Sequence, residues 1–436
     1  MEIAVIGAGL AGCEAAYFLA RHGVSVRLYE GKPEKYSPAH HSSGLAELVC
    51  SNSLKSADVY GNACGLLKEE MRILGSLVME AADRTRVPAG GALAVDRDKF
   101  SAYITGKIER EKNIRIIRGE VTELPGENAV VATGPLTFGP LAEDIRRKLG
   151  GCLHFYDAAA PIVTAESIDF SKTFTADRYG KGSGDYVNCP LTKEEYEAFV
   201  TALVNAERVV LHDFERREIF EGCMPVELMA ERGPDTLRFG MLKPVGLQDE
   251  NGKRPYAVLQ LRKENAAGTA YNLVGFQTNL KFSEQKRVFG IIPALARAEY
   301  SRYGVMHRNT YLDSPRVLCA DYSLRGRPSV YFAGQLTGVE GYVESADSGL
   351  IAAQACWLKM NGKPPAAWDS TTVSGALAEY ISSEQRDFQP MNANYAILKP
   401  LGVRIRDKAE RKRMLAERAL EAVRDIVKKT EETDNE

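Results

Sequence analysis

The sequence predicts an α/β protein built on a Rossmann-type dinucleotide-binding domain, with an inserted α+β domain and a helical C-terminal tail. Three observations predict it. The chain opens on an apolar run, Ile3 to Ile6, followed at once by Gly7, Gly9 and Gly12 in GxGxxG spacing and then by an acid, Glu30. Two later apolar runs also end in glycine turns, Asn128 to Thr133 before Gly134 and Val330 to Ala333 before Gly334. Between them, from 151 to 309, the pattern changes to short strands, aromatic residues and polar turns.

Taken in order, Ile3 to Ile6 reads as a strand buried on both faces. Gly7 permits the tight turn, Gly9 lets a pyrophosphate approach the backbone, and Gly12 lets the next helix pack closely. Ala8, Leu10 and Ala11 complete that turn. The helix from about Leu10 to Arg21 offers free N–H groups and a positive dipole end to phosphates. Val24 to Tyr29 is the second strand, and Glu30 at its end can accept hydrogen bonds from a ribose. A GxGxxG alone is a weak signal; the preceding strand, following helix and spaced acid make this one specific.

The loop from Gly31 to Ser53 gathers His40, His41, several serines and Cys50 beside the dinucleotide turn, which points to chemistry. A polar cover over the cofactor is the plainer alternative. Gly65 to Ala82 reads as one amphipathic helix. Val87 to Val95 is a strand pair around Gly90-Gly91, and Asp98 to Lys112 a helix. Ile114 to Glu120 and Val121 to Leu124 read as strands. Thr133 and Gly134 return the chain to the cofactor edge, as in two-dinucleotide flavin folds of the glutathione-reductase kind.

In the inserted region Thr192 to Asn205 is a helix, and Gly180 to Gly184 reads as a flexible loop. No second GxGxxG follows a strand, so a nicotinamide reductant would bind without a Rossmann unit of its own. Gly334 and Gln335, then Gly341 to Ala346 with Glu344 and Ser345, lead into an apolar helix whose N–H groups can close a flavin site. The tail from about Trp368 is helical. It carries a basic cluster of Arg404, Arg406, Lys408, Arg411, Lys412 and Arg413, more often a solvated face than a binding surface. Lys429 to Glu436 should be disordered. The expected division is 1–150 and 310–367 for the FAD-binding domain, 151–309 for the insertion and 368–436 for the tail.

Composition narrows the class. A chain of 436 residues implies two or three domains. No apolar run approaches a membrane span, and a strand starting at residue 3 leaves no room for a signal peptide. Eight cysteines without a CxxC pair or metal-ligand spacing fit a cytoplasmic protein with reduced thiols. With a net charge of -2, any nucleic-acid partner must use a local patch.

Longer stretches carry a family resemblance: PAHHSSGLAELVCSNSLKS, FEGCMPVELMAERGPDTLRFG, YNLVGFQTNLKFSEQKRVF, RYGVMHRNTYL, FAGQLTGVEGYVESADSGL and FQPMNANYAILKPLG. From residue 1 to about 425 the chain resembles the bacterial folate- and FAD-dependent tRNA (uracil-5-)-methyltransferases, relatives of the glucose-inhibited division protein A flavoproteins. Asn279 stands where that family carries His. The resemblance implies FAD reduced by NADH or NADPH. It implies a methylene passing from 5,10-methylenetetrahydrofolate to the flavin, then to C5 of the T-loop uridine of tRNA (position 54). Partners are then folate and the tRNA T-arm, with no membrane and no obligate protein partner.

The resemblance also marks Cys50 and Cys223 as the functional cysteines. Carbon 5 of uracil is a poor nucleophile; a thiolate adding at C6 places electron density on C5. Such a cysteine must be available as thiolate. From spacing alone both would read as small buried hydrophobes. Cys223 is expected to attack the uridine and Cys50 to act on the flavin side, with Cys13, Cys64, Cys152, Cys189, Cys319 and Cys356 structural. The alternatives are a wobble-uridine-modifying enzyme with the same cofactors and a non-catalytic tRNA-binding flavoprotein.

Overall fold

The strand Glu2–Ile6 sits near the middle of a six-stranded sheet because it is apolar enough to be covered on both sides: Ile3, Val5 and Ile6 are all buried. The structure, a computed structural model, describes residues 2–37, 39–150, 152–180, 183–209, 224–249, 251–385 and 388–434. The sheet runs in the order Ser323–Leu324, Arg327–Phe332, Ala129–Val131, Glu2–Ile6, Ser25–Glu30, Ile114–Arg118. All pairings are parallel except that of the two-residue edge strand. Ile6 pairs with both Tyr29 and Val131, and Val131 with Phe332. The carboxyl ends of these strands therefore lie side by side, which is where open parallel sheets bind ligands.

Two helices cover this edge, Leu10–Arg21 and Tyr342–Met360. They cross closely because Gly349 stands against the Ala11 carbonyl, where any Cβ would collide. Gly334 allows the same approach one layer up, its missing Cβ being 3.3 Å from that of Ala11.

The stretch expected as one helix over 65–82 is two, Ala63–Ile73 and Leu77–Arg84. Gly75, at φ 74°, turns the chain between them. Ser76 caps the second helix, and the buried Glu14 carboxylate accepts from the Leu77 and Val78 N–H groups at 2.9 Å. The apolar period continues through the break because both helices bury the same kind of face, so periodicity alone hides it. Val121–Leu124 is not a strand; the Leu124 N–H donates to Asp144 instead.

A second six-stranded sheet, antiparallel throughout, runs Phe174–Thr175, Val187–Leu191, Ala257–Lys263, Ala270–Leu273, Ile162–Thr164, Tyr300–Arg302. It has its own core around Phe199, Phe276 and Phe289. The expected helix there is Lys193–Val204, started by a reciprocal capping box between Thr192 and Glu195. Strands Cys152–Ala158 and Met306–Leu312 pair antiparallel and lead the chain out to this sheet and back. A three-stranded sheet of Ser53–Ser56, Ala92–Val95 and Arg86–Val87 lies beyond the Cys50 loop.

The tail folds as helices Val373–Ser382 and Lys408–Asp434. The second continues to Asp434, so 429–434, expected disordered, is helical: its Lys and Glu residues are good helix formers that extend an established helix. Among the described residues no helix is long and apolar enough to cross a membrane.

Candidate active site

The carboxyl ends of four parallel strands open into one cleft. Gly7, Ala8, Gly9, Leu10 and Ala11 line it from the first turn, Glu30 from the second strand, and Thr133 and Gly134 from the strand Ala129–Val131. Gly334, Gln335 and Ser345 line it from the C-terminal segment, and Cys50 from the loop. The cleft holds about 1520 Å³ of atom-free space, a figure that includes the open solvent at its mouth.

The turn fits phosphates. Gly9 is the N-cap of Leu10–Arg21 and provides no side-chain cap, so the first N–H groups of the helix stay available. A Cβ on Gly9 would meet no protein atom within 4 Å; it would project into open space. A Cβ on Gly12 would instead strike the Gly7 carbonyl. Gly12 thus lies beneath the turn and sets helix–strand packing, while Gly9 leaves room for the ligand. Glu30 is held ready: Oε2 accepts from the Ala8 N–H at 3.2 Å and Oε1 from the Lys32 N–H at 2.9 Å. This donor set fits FAD: the Gly7–Leu10 turn would take its pyrophosphate and Glu30 its ribose.

One of the sequence-derived candidates lies elsewhere. Glu344 is off the cleft wall: its carboxylate takes Lys55 Nζ and the Ala393 N–H at 3.1 Å each and Cys64 Sγ at 3.4 Å. It precedes Ser345 on a helix, and the 100° step between neighbours turns one toward the cleft and the other into the core. Cys223 lies outside the described residues.

Cys50 has a specific setting. The Tyr342 hydroxyl lies 3.0 Å from Cys50 Sγ and accepts from the Cys50 N–H at 2.7 Å and the Ser51 N–H at 3.3 Å. Burial, with the Cys50 charge beside it, lifts the Tyr342 phenol well above its ordinary range. The phenol therefore keeps its proton, and with its oxygen occupied by two N–H donors that proton can point at sulfur. Arg97 donates to the Leu48 and Val49 carbonyls at 2.7 and 3.1 Å, fixing the backbone just before Cys50. Burial opposes the Arg97 charge, but Glu264 at 2.5 Å, together with Tyr342 and Cys50, raises the group overall. Arg302 reaches the Ala39 carbonyl at 3.4 Å and is lowered by burial and then by Arg97. Both guanidinium charges interact with Cys50.

The contrast with the other thiols is sharp. Burial pushes Cys13 far up, and Cys64, Cys189 and Cys356 to about 12. Those are inert packing groups. Cys50 is half-buried, beside cations and a hydrogen-bond donor, on the wall of a cofactor-sized cleft. His40, hydrogen-bonded to Ser37 at 2.6 Å, lines the same cleft and is lowered by burial and then by Lys32, which keeps it neutral.

Tyr342, Arg97 and Arg302 are functional candidates that sequence reasoning missed. Tyr342 had one signal, its place directly after the Gly341 turn at a helix start. The two arginines had none. Asn279 is buried; its N–H donates to Glu227 at 2.7 Å and its Nδ2 to the Val209 carbonyl at 3.0 Å. In the basic cluster, Lys412 is committed to the Gly61 carbonyl at 2.7 Å and Arg413 to Glu410 and Glu417. Arg404, Arg406 and Arg411 remain exposed without an ion pair among the described residues.

The family model for glucose inhibited division protein A matches residues 2–364. A methylenetetrahydrofolate–tRNA-(uracil-5-)-methyltransferase of Acetivibrio thermocellus is 57% identical over 431 residues, covering 98% of this chain and 99% of its own. The enzyme of that name from Geobacter sulfurreducens is 57% identical over 422 residues, covering 96% of this chain and 97% of its own. The crystal structure of Aquifex aeolicus GidA (form II crystal) matches the fold with a TM-score of 0.71 at 16% identity, covering 98% of this chain and 73% of that one. Sequence along the whole length and fold agree, and the chain belongs to the methylenetetrahydrofolate–tRNA-(uracil-5-)-methyltransferases within the glucose inhibited division protein A family.

Proposed function

We propose that this protein methylates C5 of the T-loop uridine of tRNA, taking the carbon from 5,10-methylenetetrahydrofolate and electrons from NADH or NADPH. The observation that carries the reading is Cys50 on the wall of the dinucleotide cleft, with the Tyr342 hydroxyl 3.0 Å from its sulfur. Near-full-length identity to the folate-dependent enzymes supports it.

FAD bound in the cleft supplies the redox chemistry that carries and reduces the one-carbon unit. The remaining work belongs to the chain. The Gly7–Leu10 turn and Glu30 anchor the cofactor and set its depth. Arg97 locks the loop that presents Cys50, and Tyr342 with the two guanidinium groups favours its thiolate. Cys50 serves the flavin side. Cys223 adds to C6 of the uridine and raises electron density at C5. Residues 1–150 and 310–367 hold the cofactor, 151–309 faces the tRNA and 368–436 forms a helical tail. The T-loop uridine must leave its stack to react, at a cost of a few kcal/mol.

Trapping with 5-fluorouridine-containing tRNA tests the division between the cysteines. Cys223→Ala should keep FAD and form no covalent complex. Cys50→Ala should keep FAD, and its flavin absorbance should fail to respond to methylenetetrahydrofolate when tRNA is absent. If Cys223→Ala still traps the fluorinated tRNA, the nucleophile is another residue.

A further inference from the structure

The inserted sheet carries an aromatic feature that is rooted on its core through Tyr300 and that does not line the cleft. Phe282, Tyr303 and Tyr300 form a ladder of three nearly parallel rings. Phe282 and Tyr303 have centroids 4.4 Å apart at 16°, and Tyr303 and Tyr300 are 5.0 Å apart at 8°. The ladder is anchored on regular elements. Tyr300 begins the strand Tyr300–Arg302, with its hydroxyl 3.2 Å from the Gln285 carbonyl, and Phe282 begins the helix Phe282–Phe289. Its outer end is open: Phe282 is 52% exposed.

We propose that the open face of Phe282 is a stacking platform for an unpaired nucleobase of the tRNA substrate. The proposal rests on the reading that this protein acts on tRNA. Every base has a π-face, and proteins that hold single-stranded nucleic acid set such rings beside backbone-binding cations. Here the cation is Lys286, exposed, one turn beyond Phe282 on the same helix face and without an ion pair among the described residues. Rings already stacked on one another are preorganised, so a base adds to the ladder without ordering a mobile side chain.

The platform is also placed for the chemistry. Arg302 lies in the chain between Tyr300 and Tyr303 and reaches the Ala39 carbonyl, next to His40 on the cleft wall. The strand that carries the ladder is thus tied to the loop that lines the cleft. A folate ring is the competing occupant, and the test separates the two.

The experiment measures binding of an unmodified tRNA transcript to the FAD-loaded full chain, as wild type, Phe282→Ala and Phe282→Trp, over a range of salt. Phe282→Ala should bind roughly 5- to 150-fold more weakly, the range that loss of one base–aromatic stack implies. Its slope of log affinity against log salt should be unchanged, since no charge is removed. Phe282→Trp should bind within a few-fold of wild type, and the new indole fluorescence should be quenched by tRNA. Tetrahydrofolate affinity, flavin content and thermal midpoint should not move in either variant. Wild-type tRNA affinity in Phe282→Ala, or an unquenched indole in Phe282→Trp, overturns the platform alone. Lost folate affinity with intact tRNA affinity reassigns the ladder to folate and overturns it too. A wild-type protein that binds no tRNA overturns the functional reading together with the platform.

Discussion

Tyr342→Phe removes one oxygen and leaves the ring, which makes it a clean probe of the Cys50 setting. In the wild type that oxygen accepts from two backbone N–H groups and lies 3.0 Å from Cys50 Sγ. A hydrogen bond to a charged group contributes about 1.5–3 kcal/mol. Lost from the thiolate alone, it should raise the pH at which Cys50 ionises by about one to two units, at 1.36 kcal/mol per unit. Orphaning the two N–H donors should also destabilise the loop, by about 1–3 kcal/mol for each donor left unsatisfied. The assay is the rate of Cys50 alkylation against pH in the FAD-loaded protein, with Cys50→Ser as the blank. The midpoint should move to higher pH in Tyr342→Phe while flavin content stays unchanged. An unmoved midpoint would refute the claim that the phenol supports the thiolate.

The cofactor turn, a buried carboxyl and the basic tail each give a further test. Gly9→Val should fold, because a Cβ there meets no protein atom within 4 Å, yet purify without flavin, because the side chain fills the pyrophosphate path; a yellow Gly9→Val protein removes the cofactor cradle. Burial raises Glu70 from 4.5 to about 7, so folding favours its protonated form. Its contribution to stability is then full below pH 4.5 and is lost as pH rises through 7. Urea midpoints should show wild type losing about 3 kcal/mol relative to Glu70→Gln across that window, and a pH-independent difference would sink the idea. Neutralising Arg404, Arg406 and Arg411 together should flatten the salt slope of tRNA binding by about 0.7–0.9 for each phosphate that is no longer neutralised; a slope equal to wild type places the RNA path elsewhere.

What can be read in the sequence follows the range of the interactions involved. The strand, turn and helix from Glu2 to Arg21 are governed by neighbours, and the helix bounds Leu10 and Arg21 follow directly from the pattern. The same holds for Thr192 and Asn205, which cap the helix between them. Elements ended by distant groups are not legible in this way. The break at Gly75 is stabilised by Glu14, 62 to 64 residues earlier. The site divides along the same line. Local turn chemistry locates Gly7, Gly9 and Glu30, and the family resemblance marks Cys50. Tyr342 is 292 residues from Cys50, and Arg97 gains its role by pairing with Glu264, 167 residues on. The turn-proximal position of Glu344 points to the cleft, whereas its partner Lys55, 289 residues away, holds it in the core.

The most direct measurement is to follow the carbon. The FAD-loaded protein is given methylenetetrahydrofolate with an isotope-labelled methylene, NADH or NADPH, and an unmodified tRNA transcript, and the tRNA is then digested and its nucleosides and fragments weighed. Labelled 5-methyluridine is expected in the T-loop fragment, absent with Cys50→Ala and with Cys223→Ala. Label in another fragment, such as the anticodon loop, or unlabelled tRNA from a protein that retains FAD, would contradict it.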